Sequence, residues 1–238
     1  MTDEDIRSLV ESNRFGALRH LFLRENEIGN KGIAHITNAE LATNLNWLDL
    51  GGNTRISEEG VATLSTSELF QKLEGLSLAG NWIGNELLLN LSTDNELRNL
   101  RYLNLSANGL DLDWLQEEGR FEPFVGIETL IMYNNEIGDR GASRLANHES
   151  FEQLDCLDLR NNRLSLSGVR TLISSETLQS LGSLDISKNE LEPQEQQHIR
   201  TIAERYQVQV RLADDQPTFC LTPLVARSWS EIGRAFVE

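Results

Sequence analysis

The chain has 238 residues, with 21 Lys or Arg against 37 Asp or Glu and a net charge of −16. Such an acidic surface repels phosphate backbones and anionic lipid, which argues against a general nucleic-acid or membrane-surface binder. No run of about 18 apolar residues occurs, so no membrane span is expected. Two cysteines without framework spacing, Cys156 and Cys220, fit a reducing compartment.

The stretch from Met1 to Arg7 is acidic and lacks the basic and apolar regions of a signal peptide, so a cytoplasmic location is expected. Residues 2–17 align with residues 57–72, with Ile6 on Val61, Leu9 on Leu64 and Phe15 on Phe70. This half-repeat, with Thr2 or Asp3 as N-cap and acids in its first turn, reads as an N-terminal cap. From Leu18 onward one motif recurs, clearest in Leu154-Asp155-Cys156-Leu157-Asp158-Leu159-Arg160-Asn161-Asn162-Arg163-Leu164. The closing asparagines are Asn26, Asn53, Asn81, Asn108, Asn135, Asn162 and Asn189, spaced by 27 residues with a single 28. Self-similarity at a fixed period marks a stack of repeats. Each L-x-L is a short strand with one buried face, and each asparagine can bond the backbone where the strand turns away.

Between the strands, Gly32–Ile36, Val61–Leu64, Gly141–Leu145 and Val169–Ile173 carry helical apolar spacing. Residues 111–126, with Trp114 and Pro123, break that spacing and predict an irregular or shortened helix. After the last motif, Pro193 begins a helix to about Arg205, and residues 207–212 alternate as a final edge strand that Arg211 can blunt. Residues 1–212 therefore form the repeat array, closed by a helix–strand cap at 193–212, and residues 213–238 are an aperiodic tail. In the tail Trp229, Ile232 and Phe236 make one apolar stripe on a helix that Ser228 can cap. It is either a helix folded over the last repeat or a segment that recognises something else.

The motif resembles the leucine-rich repeat, and its long period, with glycine-after-turn copies such as Asn135-Glu136-Ile137-Gly138-Asp139-Arg140-Gly141-Ala142, is similar to the ribonuclease-inhibitor-like subclass. The resemblance implies an α/β right-handed horseshoe with parallel strands on the concave face and short helices on the convex face. Similar repeats serve as enzyme inhibitors, as GTPase regulators and as effectors that bacteria deliver into host cells, which would place this chain in a host cytosol. A non-enzymatic module that binds one or more proteins through the concave face, and is monomeric alone, is the expectation that follows.

The lining of that face can be read from the alternation. Phe22, Trp47, Tyr102, Ile131 and Tyr133 put large apolar groups on a face the pattern assigns to solvent, and these are the predicted anchors. The competing reading is that these groups stack on each other or sit under the C-terminal tail. Arg24, Asp49, Asn104, Asp158, Arg160 and Asp185 share the wall and would set register and orientation. Over the exposed motif positions acids outnumber bases by only two, so most of the acidity lies elsewhere and reads as a solubilising surface.

No catalytic constellation emerges. Cys156 has Thr129 and Ser183 as lateral neighbours and no histidine beside it, so a Cys156-dependent hydrolase is the weaker alternative, as is an activator supplying Arg24 or Arg160 to another enzyme. No cofactor loop and no zinc spacing are found.

Overall fold

In a computed structural model of the chain, residues 1–12, 16–85, 99–111 and 125–213 are described. The N-terminal half-repeat is helix α1 (Asp3–Glu11), and Thr2 caps it. The Asp5 carboxylate accepts the Thr2 N–H at 2.7 Å while the Thr2 hydroxyl accepts the Asp5 N–H at 3.4 Å, the reciprocal capping box. Asp3 Oδ1 accepts the N–H groups of Gly29 and Gly32 at 2.7 and 3.0 Å, which ties α1 to the start of the next helix.

Eight described strands form one parallel sheet in sequence order. They are β1 (His20–Phe22), β2 (Trp47–Asp49), β3 (Gly75–Ser77), β4 (Tyr102–Asn104), β5 (Thr129–Ile131), β6 (Cys156–Asp158), β7 (Ser183–Asp185) and β8 (Gln209–Arg211). The described helices that follow are α2 (Asn30–Thr37), α3 (Glu58–Ser65), α4 (Glu68–Lys72), α5 (Gly138–Asn147), α6 (Leu166–Ile173) and α7 (Pro193–Tyr206). Helices of successive repeats pack on one another, α1 on α2, α2 on α3, α5 on α6 and α6 on α7. This is an open α/β solenoid, and its helices cover the segments whose spacing predicted them. Residues 112–124, with Trp114, and the tail after Ala213 lie outside the described residues, as does Phe15.

The middle leucine of every strand from Leu21 to Leu184 is buried, and the register pairs each with the next. Each such leucine removes apolar area from water, a gain of about 2 kcal/mol per side chain. They join one continuous core with the residue two after an asparagine, as in Ile28, Leu110 and Leu164, and with Ile56, which comes three after Asn53 where the repeat has one extra residue.

The asparagines form a buried ladder. Asn108 Nδ2 donates to Leu105 O in its own repeat at 3.2 Å and to Leu78 O in the preceding one at 2.9 Å. Its Oδ1 accepts the N–H groups of Asn81 and Ile83 from that preceding repeat, at 3.2 and 3.4 Å. Asn135 and Asn189 repeat the arrangement with Asn108/Leu110 and Asn162/Leu164. The residue before each asparagine is left-handed throughout: Glu25, Gly52, Gly80, Ala107, Asn134, Asn161 and Lys188 all have φ between 51 and 70°. Glycine and asparagine tolerate that region, whereas Glu25, Ala107 and Lys188 occupy it at a cost of about 1 kcal/mol or more each.

Candidate functional site

Strand alternation turns the first and third residues of each strand away from the core, and the parallel register aligns them in rows across the sheet. These rows form the wall that the sequence assigns to partner binding.

The aromatic residues divide into a bridge and two open ends. Trp47 of β2 and Tyr102 of β4 stack with ring centroids 4.9 Å apart at 30°, although β3 lies between their strands. Gly75 of β3 makes this possible. A Cβ there would sit 2.5 Å from Trp47 Cδ2 and nearer still to Cε3 and Cζ3, so the indole lies where any other residue's side chain would begin. Trp47 is consequently only 7% exposed. The expectation of Trp47 as a solvent-facing anchor is therefore corrected: its ring is spent on the wall itself. Burial pushes the Tyr102 hydroxyl up to about 12, against a hydrogen bond with Asn104 that lowers it. Phe22, by contrast, is 38% exposed, and Ile131 and Tyr133 are half-buried.

The row expected to offer Asp49, Asn104, Asp158 and Asp185 to a partner has another task. Asp49 Oδ1 accepts the Gly51 N–H at 2.8 Å, Asn104 Oδ1 the Ser106 N–H at 3.0 Å, Asp158 Oδ1 the Arg160 N–H at 3.0 Å and Asp185 Oδ1 the Ser187 N–H at 3.1 Å. Each carboxylate or amide closes the turn two residues beyond its own strand, which satisfies a backbone donor where the ladder ends. Asp158 and Asp185 are each 1% exposed, so neither is a rim charge.

The C-terminal part of the wall is an ion-pair cluster. Arg160 Nε and Nη2 donate to Asp158 Oδ2 at 2.9 and 2.6 Å, and Arg160 Nε stands 3.5 Å from Asp185 Oδ2. Arg211 Nη1 donates to Asp185 Oδ2 at 2.8 Å. The Arg160 guanidinium also lies over the Tyr133 ring, 4.8 Å from its centroid, and Lys188 Nζ lies 5.5 Å from the same centroid. Burial pushes the Asp158 carboxyl above its usual range in spite of Arg160, whereas its hydrogen bond to Asp158 pushes Arg160 further up. The two ends differ because Asp158 is fully desolvated and Arg160 keeps contact with water. Arg211, expected to blunt an exposed edge, is instead buried against Asp185. At the other end of the wall, Arg24 is exposed and pairs with Glu25 at 3.1 Å.

Sequence reasoning missed the space left by Gly75, the turn-closing row and the inward role of Arg211. The row had a periodic signal, an Asp or Asn two residues before Gly51, Ser106, Arg160 and Ser187.

Cys156 is buried and disulfide-bonded, which corrects the reading of its sulfur as a free thiol and removes the nucleophile of the hydrolase alternative. The hydroxyls of Ser77 and Thr129, on the same wall, are buried with no hydrogen-bond partner. Among the described residues no group of three or more His, Cys, Asp or Glu could hold a metal ion, and no helix is long and apolar enough to cross a membrane.

The Leucine Rich repeat family model matches residues 127–146, which hold β5 and most of α5. Among solved structures, a Bacteroides fragilis protein is 13% identical with a TM-score of 0.49, over 90% of this chain and 70% of that one. An internalin from Listeria monocytogenes is 17% identical with a TM-score of 0.37, over 95% of this chain and 92% of that one. A leucine-rich-repeat protein of Leptospira interrogans is 18% identical with a TM-score of 0.30, over 85% and 74%. A search of curated proteins finds no match.

Proposed function

We propose that this chain, a leucine-rich-repeat solenoid, is a non-enzymatic module that binds a partner protein through its wall. The observation that carries the reading is the Tyr133 ring, half-buried beneath Arg160 and Lys188 on an otherwise acidic molecule. An aromatic flanked by cations, held by ion pairs that need no rearrangement, is the composition of an interface hot spot. Phe22, exposed at the opposite end and beside Arg24 in the same row system, supplies a second anchor. Eight strands about 4.8 Å apart give a wall on the order of 35 Å long, enough for a standard interface of roughly 800 Å² per partner.

Covering an enzyme or a signalling protein is the mode of action such a wall favours. Donating an arginine to a partner's active site is disfavoured, because Arg160 is held by Asp158 through two of its nitrogens. Trp47 and Tyr102 shape the wall's centre, and Asp49, Asn104, Asp158 and Asp185 hold its strand ends.

The test is capture of a partner from lysate by the full chain, followed by titration of that partner against Phe22→Ala/Tyr133→Ala. Loss of about 2 kcal/mol or more, roughly a thirtyfold weaker affinity, is expected from the double variant. Undiminished affinity in a variant with wild-type circular dichroism overturns the assignment of these two anchors.

A further inference from the structure

Asp49, Asn104, Asp158 and Asp185 end their strands in one register, and each accepts the backbone N–H two residues on. The repeats differ in what else they supply. Ser106 Oγ donates to Asn104 Oδ1 at 2.7 Å, Arg160 Nε to Asp158 Oδ1 at 2.9 Å and Ser187 Oγ to Asp185 Oδ1 at 2.8 Å. In each case the donor is the side chain two residues after the acceptor. At Asp49 that residue is Gly51, which has no side chain to donate. The second carboxylate oxygen tells the same story. Asp158 Oδ2 accepts from Arg160 Nη2 at 2.6 Å and Asp185 Oδ2 from Arg211 Nη1 at 2.8 Å. Among the described residues Asp49 has the Gly51 N–H alone.

Gly51 leaves a notch lined by oxygen. A Cβ there would stand 3.1 Å from Asp49 Oδ1, 3.3 Å from Ala79 O and 3.5 Å from Ser77 Oγ. Ser77 is 3% exposed, and its hydroxyl has no hydrogen-bond partner among the described residues. Buried hydroxyls are ordinarily bonded, and this one borders the notch. Phe22 stands beside Asp49 in the register, about 4.8 Å away across the strands, and is 38% exposed. Arg24, the nearest basic residue on the preceding repeat, is turned to Glu25, with its Nε 3.1 Å from the carboxylate. A carboxylate, an orphan hydroxyl and an open ring thus meet with no donor among them. Arg160 shows what fits such a place: it grips Asp158 through Nε and Nη2 while its guanidinium lies over Tyr133.

We propose that the notch at Gly51 receives an arginine side chain of the partner protein, laid on Asp49 and against Phe22. The inference rests on the partner reading above and gives that partner a chemistry. The guanidinium donates to Asp49 Oδ2, and one of its remaining N–H groups turns to Ser77 Oγ. A planar fork suits the place better than an ammonium, because it can meet a carboxylate through two nitrogens while its face rests on a ring. A basic residue at the centre of the partner's contact also complements a chain of net charge −16. The two ends of the wall therefore differ in kind: Asp158 and Asp185 are answered from within, and Asp49 is answered by the partner.

The test titrates ethylguanidinium chloride into the full, nitrogen-15-labelled chain at constant ionic strength and follows the amide resonances of Phe22, Gly51 and Ser77. They should shift saturably, with half-saturation at about 10 mM. Ethylammonium and neutral N-ethylurea should bind at least about fivefold more weakly. Asp49→Asn should weaken the guanidinium response by about tenfold. The turn itself survives that change, because Asn104 closes the equivalent turn on the Ser106 N–H at 3.0 Å. Gly51→Ser supplies the donor that Ser106 and Ser187 supply in their own repeats and should close the notch, with a similar loss at Phe22 and Ser77. No saturable shift, equal responses to the three probes, or an unchanged response in Asp49→Asn with an otherwise wild-type spectrum each overturn the proposal. If Asp49→Asn does not fold, Gly51→Ser and the probe comparison decide. No partner enters this assay, so its failure leaves Phe22 and Tyr133 standing as anchors.

Discussion

Gly75→Ala should displace Trp47 and uncouple it from Tyr102. The added Cβ falls within the indole ring, whose position is set by backbone on one side and Tyr102 on the other. Trp47 must therefore swing out. A buried tryptophan hides roughly 150–250 Å², and returning about 100 Å² to water costs about 2.5 kcal/mol. Loss of the stack adds about 1 kcal/mol, and the gain from replacing glycine in a strand returns about 0.5–1 kcal/mol. The net cost is about 2–3 kcal/mol, a fall in Tm of about 5–10 °C for a chain of this size. Urea denaturation followed by circular dichroism measures the cost, and a red shift of tryptophan emission reports the exposed indole. In a Trp47→Ala background the same Gly75→Ala change meets no ring and should cost nothing, giving a coupling of about 2 kcal/mol or more. Equal costs in the two backgrounds, or a Gly75→Ala protein within about 0.5 kcal/mol of wild type with unshifted emission, would refute the bridge.

Asn108→Ala removes the amide that serves Leu78 O and Leu105 O and the oxygen that serves two buried N–H groups. Orphaned buried groups cost about 1–3 kcal/mol each, so a loss of about 3–5 kcal/mol is expected in the same urea assay. Ala107→Gly relieves a left-handed alanine at φ 53° and should raise the midpoint by the equivalent of about 1 kcal/mol. Tyr102 gives a pH signature. Its folded-state value of about 12 exceeds the ordinary phenol value of 10, so the unfolded chain loses this proton first. Stability should fall between pH 10 and 12 by about 2–3 kcal/mol, and Tyr102→Phe should flatten that part of the profile; an unchanged slope would show that Tyr102 is not the group responsible.

The repeat was readable because its constraints are periodic. The buried leucines, the ladder asparagines and the helical spacing of residues 32–36 or 169–173 each recur at one interval, and each has one physical use. The wall was less legible because its side chains interact across strands, where sequence distance says nothing of reach. Trp47 looked like an anchor until Gly75, 28 residues on, proved to leave room for its ring. Asp158 and Asp185 looked like rim charges because alternation fixes which side a residue faces but not whether its own turn claims it. Phe22 keeps the exposure expected of it, whereas Tyr133 is half-buried.

The asparagine ladder also has a direction. Each side-chain oxygen serves N–H groups of the repeat before it, as Asn135 serves Asn108 and Leu110, and Asn189 serves Asn162 and Leu164. A repeat emerging from the ribosome therefore has its leucines and its own asparagine but lacks acceptors for these donors until its successor has been made. Folding during translation must trail synthesis by about one repeat, and a ribosome stalled after any asparagine leaves the repeat just completed as the weak one.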